Sequence, residues 1–319
     1  MMHKDFYSPS ICFERYLRCP ACLCEKITFN QSNNVFVCDH CHKDYSTVHG
    51  IPCLVTESKD EALYVDIDRH DESADHYTQK PLYHFFDLES SPIGRYLQEG
   101  LFTKDKAIFE IGCGTGTIAE IIKEKAGCDL FGVDIASGSI RQAKRLGIPL
   151  LLASNINLPL RDSIADLTVS NGVIHHTPNP KQCLSELERI TKKDGQIILV
   201  VHRKYSFYWL WYLLYASICK TLLRIFGKHI GYIMVYLFYL LFFYAPFWLG
   251  RIIYHKKIKP PGIENVWMTF NDQFLSPTCT FHTFDEINGW ASEFNLNLVE
   301  SFNFVRPGGG AISFLFKKG

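Results

Sequence analysis

One glycine-rich stretch in the sequence has the spacing of a ligand-binding turn. It runs from Glu110 to Gly116 (EIGCGTG) and overlaps the end of the apolar run 107–111, which predicts a buried strand. Glycines at the end of a strand let the backbone bend sharply and let a ligand approach the main chain closely. The third glycine comes one residue too early for the dinucleotide fingerprint, so the stretch alone indicates either a ligand-binding loop or a tight turn.

A carboxylate about twenty residues downstream favours the ligand-binding interpretation. Asp134 ends a second apolar run, 130–133. In an α/β domain, a carboxylate at this position faces the crevice beyond the strand ends and can accept hydrogen bonds from both ribose hydroxyls of a nucleoside. The alternative is that Asp134 caps the helix that follows.

Two pairs of cysteines have the spacing of a zinc site. Cys19 and Cys22 are followed, after fifteen residues, by Cys38 and Cys41. Two such pairs can present four thiolates tetrahedrally to one Zn²⁺ ion. A unit of about 50 residues with little apolar mass usually needs such a metal to fold. We therefore expect structural zinc; the alternatives are four unligated thiols or replacement of one ligand by His40 or His42.

The elements that position these residues alternate between strand and helix. Helical spacing is present at 117–125, 139–146 and 180–191. Buried strands are predicted at 107–111, 130–133, 150–153, 167–170 and 197–201. This order predicts a doubly wound α/β fold with a mostly parallel sheet. The alternating runs 298–304 and 312–316 predict an antiparallel hairpin at the sheet edge, which makes seven strands.

Taken together, the motifs resemble those of class I S-adenosylmethionine-dependent methyltransferases of the methyltransferase type 11 kind. The similarity covers roughly residues 75–202. The motifs that carry it are 110–116, Val133-Asp134, Leu158–Leu160, Ala165-Asp166 and Asn171–His176. The resemblance implies a Rossmann-like sheet and S-adenosyl-L-methionine as the cofactor.

The same resemblance assigns cofactor contacts. The glycines would cradle the amino-acid end of the cofactor, Asp134 would bind the ribose hydroxyls, and Asn155 would stand near the adenine, where many relatives carry Asp. An amide can both donate and accept, so this departure is compatible with adenine contact. The residues implied in cofactor binding are Glu110, Gly112, Cys113, Gly114, Gly116, Asp134, Ile135, Asn155, Ile156 and Asn171.

Methyl transfer itself needs few side chains, because the sulfonium is already a strong electrophile and the enzyme mainly aligns a nucleophile with the methyl group. A general base helps if the nucleophile is a hydroxyl. His176 follows the fourth strand and His282 follows the inserted region, so these two are the catalytic candidates. The alternative is that each merely starts or caps a helix.

The cysteine pairs, Tyr45 and the stretch Gly50–Leu54 resemble the small zinc-ribbon module of Trm112 proteins, which often accompanies methyltransferase domains. The similarity covers roughly residues 16–56. It implies a zinc ribbon at 1–58, joined by the polar stretch 57–75 to a methyltransferase domain at 59–319.

A hydrophobic, aromatic insertion at 203–260 interrupts the predicted methyltransferase domain. Its uncharged runs are Tyr205–Cys219 and Ile230–Gly250, and the second is just long enough to cross a bilayer core of about 30 Å. One crossing would separate the two parts of the domain, and two would carry three basic residues to the far side, against the positive-inside tendency. We therefore expect a helical hairpin that lies in the membrane interface. Membrane spanning and a buried lid or dimer contact are the alternatives.

The position of the insertion favours an apolar acceptor. In the resembled fold, an insertion after the fifth strand overhangs the substrate side of the crevice, which suits a quinone-like, isoprenoid or lipid-linked molecule. The formal net charge is zero, which makes nucleic acid an unfavoured partner. An RNA methyltransferase of the ribosomal guanine type, which also carries an N-terminal zinc module, is the alternative, followed by a non-catalytic cofactor-binding scaffold. Without a secretory signal pattern, we expect a cytoplasmic protein attached peripherally to the membrane.

Overall fold

The computed structural model describes residues 13–55, 91–245, 278–306 and 309–319. The predicted linker 57–75 and the end of the second apolar run, from 246 onward, lie outside the described residues.

The N-terminal unit is a small β structure. β1 (Ile27–Asn30), β2 (Val35–Cys38) and β3 (Asp44–Tyr45) form an antiparallel three-stranded sheet, and β4 (Thr47–Val48) pairs with β5 (Ile51–Pro52). Each cysteine pair sits in a tight turn, since the Leu23 N–H donates to the Cys19 carbonyl at 2.8 Å and the His42 N–H to the Cys38 carbonyl at 2.9 Å.

The larger unit alternates strand and helix as predicted. Its elements in chain order are α1 (Pro92–Gln98), β6 (Ile108–Ile111), α2 (Thr117–Ala126), β7 (Phe131–Asp134), α3 (Ser137–Ala143), β8 (Leu150–Leu152), β9 (Ala165–Asn171), α4 (Pro180–Ile190), β10 (Thr191–His202), α5 (Phe207–Tyr239), α6 (Phe284–Glu293), β11 (Leu296–Arg306) and β12 (Gly309–Lys318). A 3₁₀ turn, Lys144–Leu146, ends the predicted helix 139–146 because Gly147 closes it in the left-handed conformation.

These strands form one seven-stranded sheet in the order β11-β12-β10-β9-β6-β7-β8. The five strands from β10 to β8 are parallel, and β12 is antiparallel to both of its neighbours. The predicted fold class, including the C-terminal antiparallel hairpin, is therefore confirmed. The strand order reverses between β6 and β9, and in such sheets ligands bind at this switch point, outside the carboxyl ends of the strands.

The insertion after β10 is helical, and it is bent back on itself. Gly227 has non-helical torsion angles within α5 (φ 71°, ψ 175°). Beyond it the second arm packs along the first: the Tyr215 hydroxyl donates to the Phe238 carbonyl at 2.8 Å, and the two rings are 5.1 Å apart. A π-helical turn, Leu240–Tyr244, extends the second arm. Within the described part of the chain, none of the helices has the length and apolar composition required to cross a membrane.

The N-terminal unit shares a hydrophobic core with the sheet. Phe13 and Leu17 are fully buried and belong to the same cluster as Phe109 and Ile111 of β6. The Leu17 backbone bridges to Leu160, and the Arg18 N–H donates to the Pro159 carbonyl at 3.0 Å. The two units are therefore packed as one body, with the small unit held against the stretch that follows β8.

Candidate cofactor and acceptor site

The glycine loop lies between β6 and α2, at the switch point of the sheet. Gly112, Gly114 and Gly116 all have positive φ angles, of 82°, 53° and 82°. A Cβ at position 112 would lie 2.4 Å from the methyl groups of Val173, and one at position 116 would lie 2.6 Å from Leu146. Gly112 and Gly116 are thus required by close packing, whereas a Cβ at position 114 would meet nothing within 4 Å.

Asp134 meets this loop directly. Its Oδ2 accepts a hydrogen bond from the Gly114 N–H at 2.7 Å, and its Oδ1 accepts one from the Ala136 N–H at 2.9 Å. The loop and the carboxylate therefore converge, and Asp134 also supports the start of α3. A carboxylate has about four acceptor sites, so these two bonds leave capacity for a ligand's hydroxyls.

Glu110 lies beneath the loop and is fully buried. Its Oε2 has no hydrogen-bond partner within the described residues. Burial, reinforced by the nearby negative charge of Asp134, raises the pKa of Glu110 well above its ordinary value of 4.5. The neighbouring Cys113 thiol belongs to the second hydrophobic core, and its Sγ lies 3.8 Å from the Gly114 carbonyl oxygen. Burial, followed by the charges of Asp134 and Glu110, raises the pKa of that thiol.

The other residues implied in cofactor binding lie at the same edge of the sheet. Ile135 follows β7 and Asn171 ends β9, and both are partly buried. Asn155 follows β8; it is buried, and its Oδ1 has no hydrogen-bond partner in the described structure. The partly buried Ile156 stands beside it. Parallel strands end at one edge, which explains how positions far apart in the chain come together here.

The two catalytic candidates have different surroundings. His176 is partly buried in a 3₁₀ turn, Ile174–His176, and its Nδ1 lies 3.1 Å from the Thr278 carbonyl oxygen. His282 is buried; its Nε2 lies 2.9 Å from the Thr280 hydroxyl. The Nδ1 of His282 lies 3.2 Å from a Glu286 oxygen without the alignment of a hydrogen bond. Neither histidine caps a helix, because Asn179 caps α4 and Thr283 caps α6.

Two further histidines, His175 and His202, join His176 in a cluster that the sequence did not reveal. The His175 ring centroid lies 4.4 Å from that of His176 and 3.9 Å from that of His202, which ends β10. One ring nitrogen of each of these three residues lies within 4.8 Å of the others. Burial, and then the neighbouring histidines, lower the pKa of His175 well below 6.5, and burial lowers that of His282. The one available signal was the position of His202 directly after the predicted fifth strand.

The helical insertion covers this cluster with aromatic rings. The Tyr208 ring, in the first turn of α5, lies 5.0 Å from His202 and 5.6 Å from Phe281. Tyr212, one turn further along, lies 5.0 Å from Phe281, which itself stacks on His202 at 5.5 Å. The histidines thus lie between the carboxyl edge of the sheet and an aromatic wall.

The four predicted zinc ligands come together in the N-terminal unit. Their sulfur atoms all lie within 4.8 Å of one another, with Cys19–Cys41 at 3.6 Å and Cys22–Cys38 at 3.5 Å. In a tetrahedral zinc–thiolate site, Zn–S bonds of about 2.3 Å place the sulfurs about 3.8 Å apart. His40 and His42 are not members of this cluster.

Comparisons with known proteins agree with this architecture. Residues 109–199 match the family described as a methyltransferase domain. The chain is 34% identical over 98 residues to an uncharacterized protein of Methanocaldococcus jannaschii, covering 31% of this chain and 45% of that protein. It is 30% identical over 124 residues to the "Probable tRNA methyltransferase 9B" of Bos taurus, covering 37% of this chain and 26% of that protein.

A further relative is the ubiquinone/menaquinone biosynthesis C-methyltransferase UbiE of Campylobacter jejuni, which is 33% identical over 110 residues, or 32% of this chain and 46% of that protein. The chain thus spans less than half the length of these curated relatives. Among solved structures, a possible histamine N-methyltransferase of Thermotoga maritima has a TM-score of 0.51 at 16% identity, covering 80% of this chain and all of that chain. Residues 109–199 thus match a methyltransferase domain, and the seven-stranded sheet around them has the Rossmann-like strand order predicted for such a domain.

Proposed function

We propose that the protein transfers a methyl group from S-adenosylmethionine to an apolar small molecule or lipid-linked acceptor at a membrane surface. When bound, the cofactor supplies the methyl group on a sulfonium. Gly112, Gly114 and Gly116 would hold its amino-acid end and Asp134 its ribose. The open space above Gly114 and the unpartnered oxygen of Asn155 support this fit, because both leave room for a ligand at the switch point.

The remaining cofactor residues have supporting roles in this proposal. Ile135 and Ile156 would pack against the adenine, and Asn171 would lie beneath the methyl donor. Glu110 and the main chain of Cys113 would set the shape of the loop. Asp134→Ala should weaken cofactor binding by about an order of magnitude or more, because an acceptor is lost and the Gly114 N–H loses its partner. Unchanged affinity by calorimetry would remove Asp134 from the binding site.

The observation that carries the choice of acceptor is the apolar outer face of the helical insertion. Twelve large apolar side chains between 210 and 242 each expose between 38% and 67% of their surface. They are Leu210, Leu213, Leu214, Ile218, Ile225, Phe226, Ile230, Ile233, Met234, Leu237, Leu241 and Phe242. Their spacing of three and four residues places them in a stripe along each arm. Soluble surfaces rarely expose an apolar patch of this extent, which marks an interaction surface.

A lipid surface suits this face better than a protein groove. The opposite face of the insertion is already occupied, since Tyr215, Cys219 and Val235 are buried between the two arms. Arg224 is exposed near the turn at Gly227, where a cation can meet anionic headgroups. An acceptor dissolved in the bilayer would then reach the histidine cluster along the aromatic wall of Tyr208 and Tyr212.

Liposome sedimentation tests the membrane proposal. The wild-type protein should sediment with anionic vesicles, and Leu213→Gln combined with Ile233→Gln should release it while cofactor affinity stays unchanged. Leu23→Gln, which changes an exposed apolar residue of the N-terminal unit, is the matched control and should leave sedimentation intact. Equal sedimentation of all three proteins would refute the proposal. A chain with residues 206–257 removed and the ends joined should still bind cofactor; if it cannot fold, the insertion is core.

The acceptor is best identified from cells. Mass spectrometry of lipid and quinone extracts, with and without the gene, should reveal a species heavier by one methyl group only when the gene is present. Two identical lipid profiles would contradict the apolar acceptor.

RNA is the second candidate acceptor, because four of the relatives are named as tRNA methyltransferases. Binding to RNA would depend steeply on salt, since Lys and Arg contacts displace counterions from phosphates. Transfer of labelled methyl to tRNA, but not to lipid extracts, would favour this second function. A non-catalytic scaffold would bind the cofactor and transfer methyl to neither.

We further propose that Cys19, Cys22, Cys38 and Cys41 bind one structural Zn²⁺ ion in a Trm112-like ribbon at 1–58, followed by the methyltransferase domain at 59–319 with its insertion at 203–260. All four protein ligands are sulfur, so the site is closed and serves folding. If the acceptor is a hydroxyl, His176 is the stronger candidate for a general base. A proton on its Nδ1, donated to the Thr278 carbonyl, would place the lone pair on Nε2, as a general base requires.

A further inference from the structure

The histidine cluster has the composition of a metal site that is separate from the cysteine cluster. His175, His176 and His202 come from the 3₁₀ turn after β9 and from the end of β10, and one nitrogen of each lies within 4.8 Å of the other two. Zn–N bonds of about 2.0–2.1 Å place the nitrogens of a tetrahedral site about 3.3 Å apart. To bind one ion, the three nitrogens would therefore have to move closer together by up to about 1.5 Å.

His175 supplies the observation that points to a ligand. Its side chain is 1% exposed, and neither ring nitrogen has a hydrogen-bond partner in the described structure. Buried polar groups in folded proteins are nearly always satisfied. A position that required only a flat ring against His176 and His202 would be filled by phenylalanine without an unsatisfied N–H.

Contacts from segment 278–282 to His175 and His176 are of the kind that orient histidine ligands in metal sites. The Nδ1 of His176 lies 3.1 Å from the Thr278 carbonyl, and metal-binding histidines typically donate their second N–H to such an acceptor. The His175 carbonyl accepts from the Thr280 N–H at 2.9 Å and from its hydroxyl at 3.1 Å. Segment 278–282 therefore fixes two of the three residues from outside.

We propose that His175, His176 and His202 bind a divalent transition metal of the Zn²⁺ class. Imidazole is a preferred ligand of zinc, and three protein ligands leave the fourth tetrahedral position for water or for an oxygen of a bound molecule. The site lies at the carboxyl edge of the sheet, beneath the aromatic wall. This inference rests on the proposed methyltransferase function and extends it, because the acceptors would carry a hydroxyl or enol oxygen.

The role of the ion in such a reaction follows from its charge. An acceptor oxygen on the metal loses its proton to water more readily, and its electron pair then forms the O–CH₃ bond while the S–CH₃ bond breaks and its electrons return to sulfur. His176 would then act as a metal ligand. The ion, in place of His176 as general base, would promote loss of the proton from the acceptor oxygen.

Metal counting on the full-length protein tests the proposal without any activity assay. The apoprotein is dialysed against Zn²⁺, and the bound metal is measured by mass spectrometry. His175→Phe and His202→Phe keep the aromatic packing and should each bind one equivalent fewer than the wild type, with affinity at that site lowered at least about tenfold. His282→Phe changes a buried histidine outside the trio and should bind as many equivalents as the wild type.

Cobalt substitution identifies which site is lost. The cysteine cluster gives intense thiolate-to-cobalt absorption, which should persist in both histidine variants and shows that they are folded, while the weaker bands of a nitrogen-ligated Co²⁺ should disappear. If His202→Phe and the partly buried His176→Ala both retain the full number of equivalents, the proposal is wrong. Failure of the methyltransferase proposal would appear separately, as a wild-type protein that binds metal but not S-adenosylmethionine in calorimetry.

Discussion

Replacing Gly114 by alanine distinguishes two effects: the loss of folding stability from a non-glycine residue in the loop, and the loss of cofactor affinity from an added methyl group. Gly114 has a φ of 53°, and a Cβ at this position meets nothing within 4 Å in the protein. The empty volume is where the cofactor's amino-acid end would approach the main chain. An added methyl group therefore leaves the apoprotein's packing intact and intrudes only on the ligand.

The two effects differ in size. A non-glycine residue in the left-handed region costs roughly 1–2 kcal/mol of folding stability. A methyl group between the backbone and a ligand in close contact should lower cofactor affinity at least about tenfold, equivalent to about 1.4 kcal/mol of binding free energy. Stability is measured by urea denaturation and affinity by calorimetry on the same preparation.

Two other glycines serve as controls. Gly147 has a φ of 66° and open space around its Cβ position, and it lies in the turn before β8 rather than in the glycine loop. Gly147→Ala should show the same loss of stability with unchanged affinity. Gly112→Ala should destabilise the fold more than either, because its Cβ would lie 2.4 Å from Val173. If Gly114→Ala binds S-adenosylmethionine as tightly as Gly147→Ala does, the ligand does not approach the loop and the reasoning is refuted.

Three further outcomes follow from the described contacts. The folded chain retains a proton on Glu110 at pH values where the unfolded chain has lost it. The free energy of unfolding should therefore fall as the pH rises from about 4.5 toward the raised pKa of Glu110. Glu110→Gln should flatten that slope in denaturation curves measured across this pH range. Leu17→Ala should cost about 2–5 kcal/mol by chemical denaturation, because Leu17 is fully buried in the core shared by both units; a loss below about 1 kcal/mol would show that the N-terminal unit packs loosely. Stripping zinc with a chelator should lower the melting temperature of the whole chain in a single transition, and an unchanged melting curve would contradict structural zinc.

The sequence was sufficient to predict the sheet, because the relevant signals are local. Three of the apolar runs end at residues that the chain itself marks: Gly112 follows β6, and Asp134 and Asn171 are the last residues of β7 and β9. The helix predicted at 117–125 is observed at Thr117–Ala126, and Gly127 closes it. The hairpin strands are longer than predicted, because β11 and β12 continue to pair beyond the alternating residues.

What the sequence left out depends on the packing of distant elements. His202 joins His175 only through the register that pairs Val200 with Asn171, and no spacing along the chain encodes it. The need for glycine at position 112 comes from Val173, sixty-one residues away and on another loop. The turn at Gly227 could likewise not be predicted, because a glycine within an apolar helical pattern is tolerated in a continuous helix as well as at a bend.

The docking of the N-terminal unit has a consequence for how the chain matures on the ribosome. Arg18 pairs with Asp162, 144 positions later in the chain. At about 5–20 residues per second, the surface that receives the first unit emerges roughly 7–30 s after that unit has been synthesised. During this interval Phe13 and Leu17 have no sheet to cover them, so the nascent segment must be sheltered by a chaperone or collapse locally. Early metal capture by its thiols would then fold the ribbon before the sheet that receives it has formed.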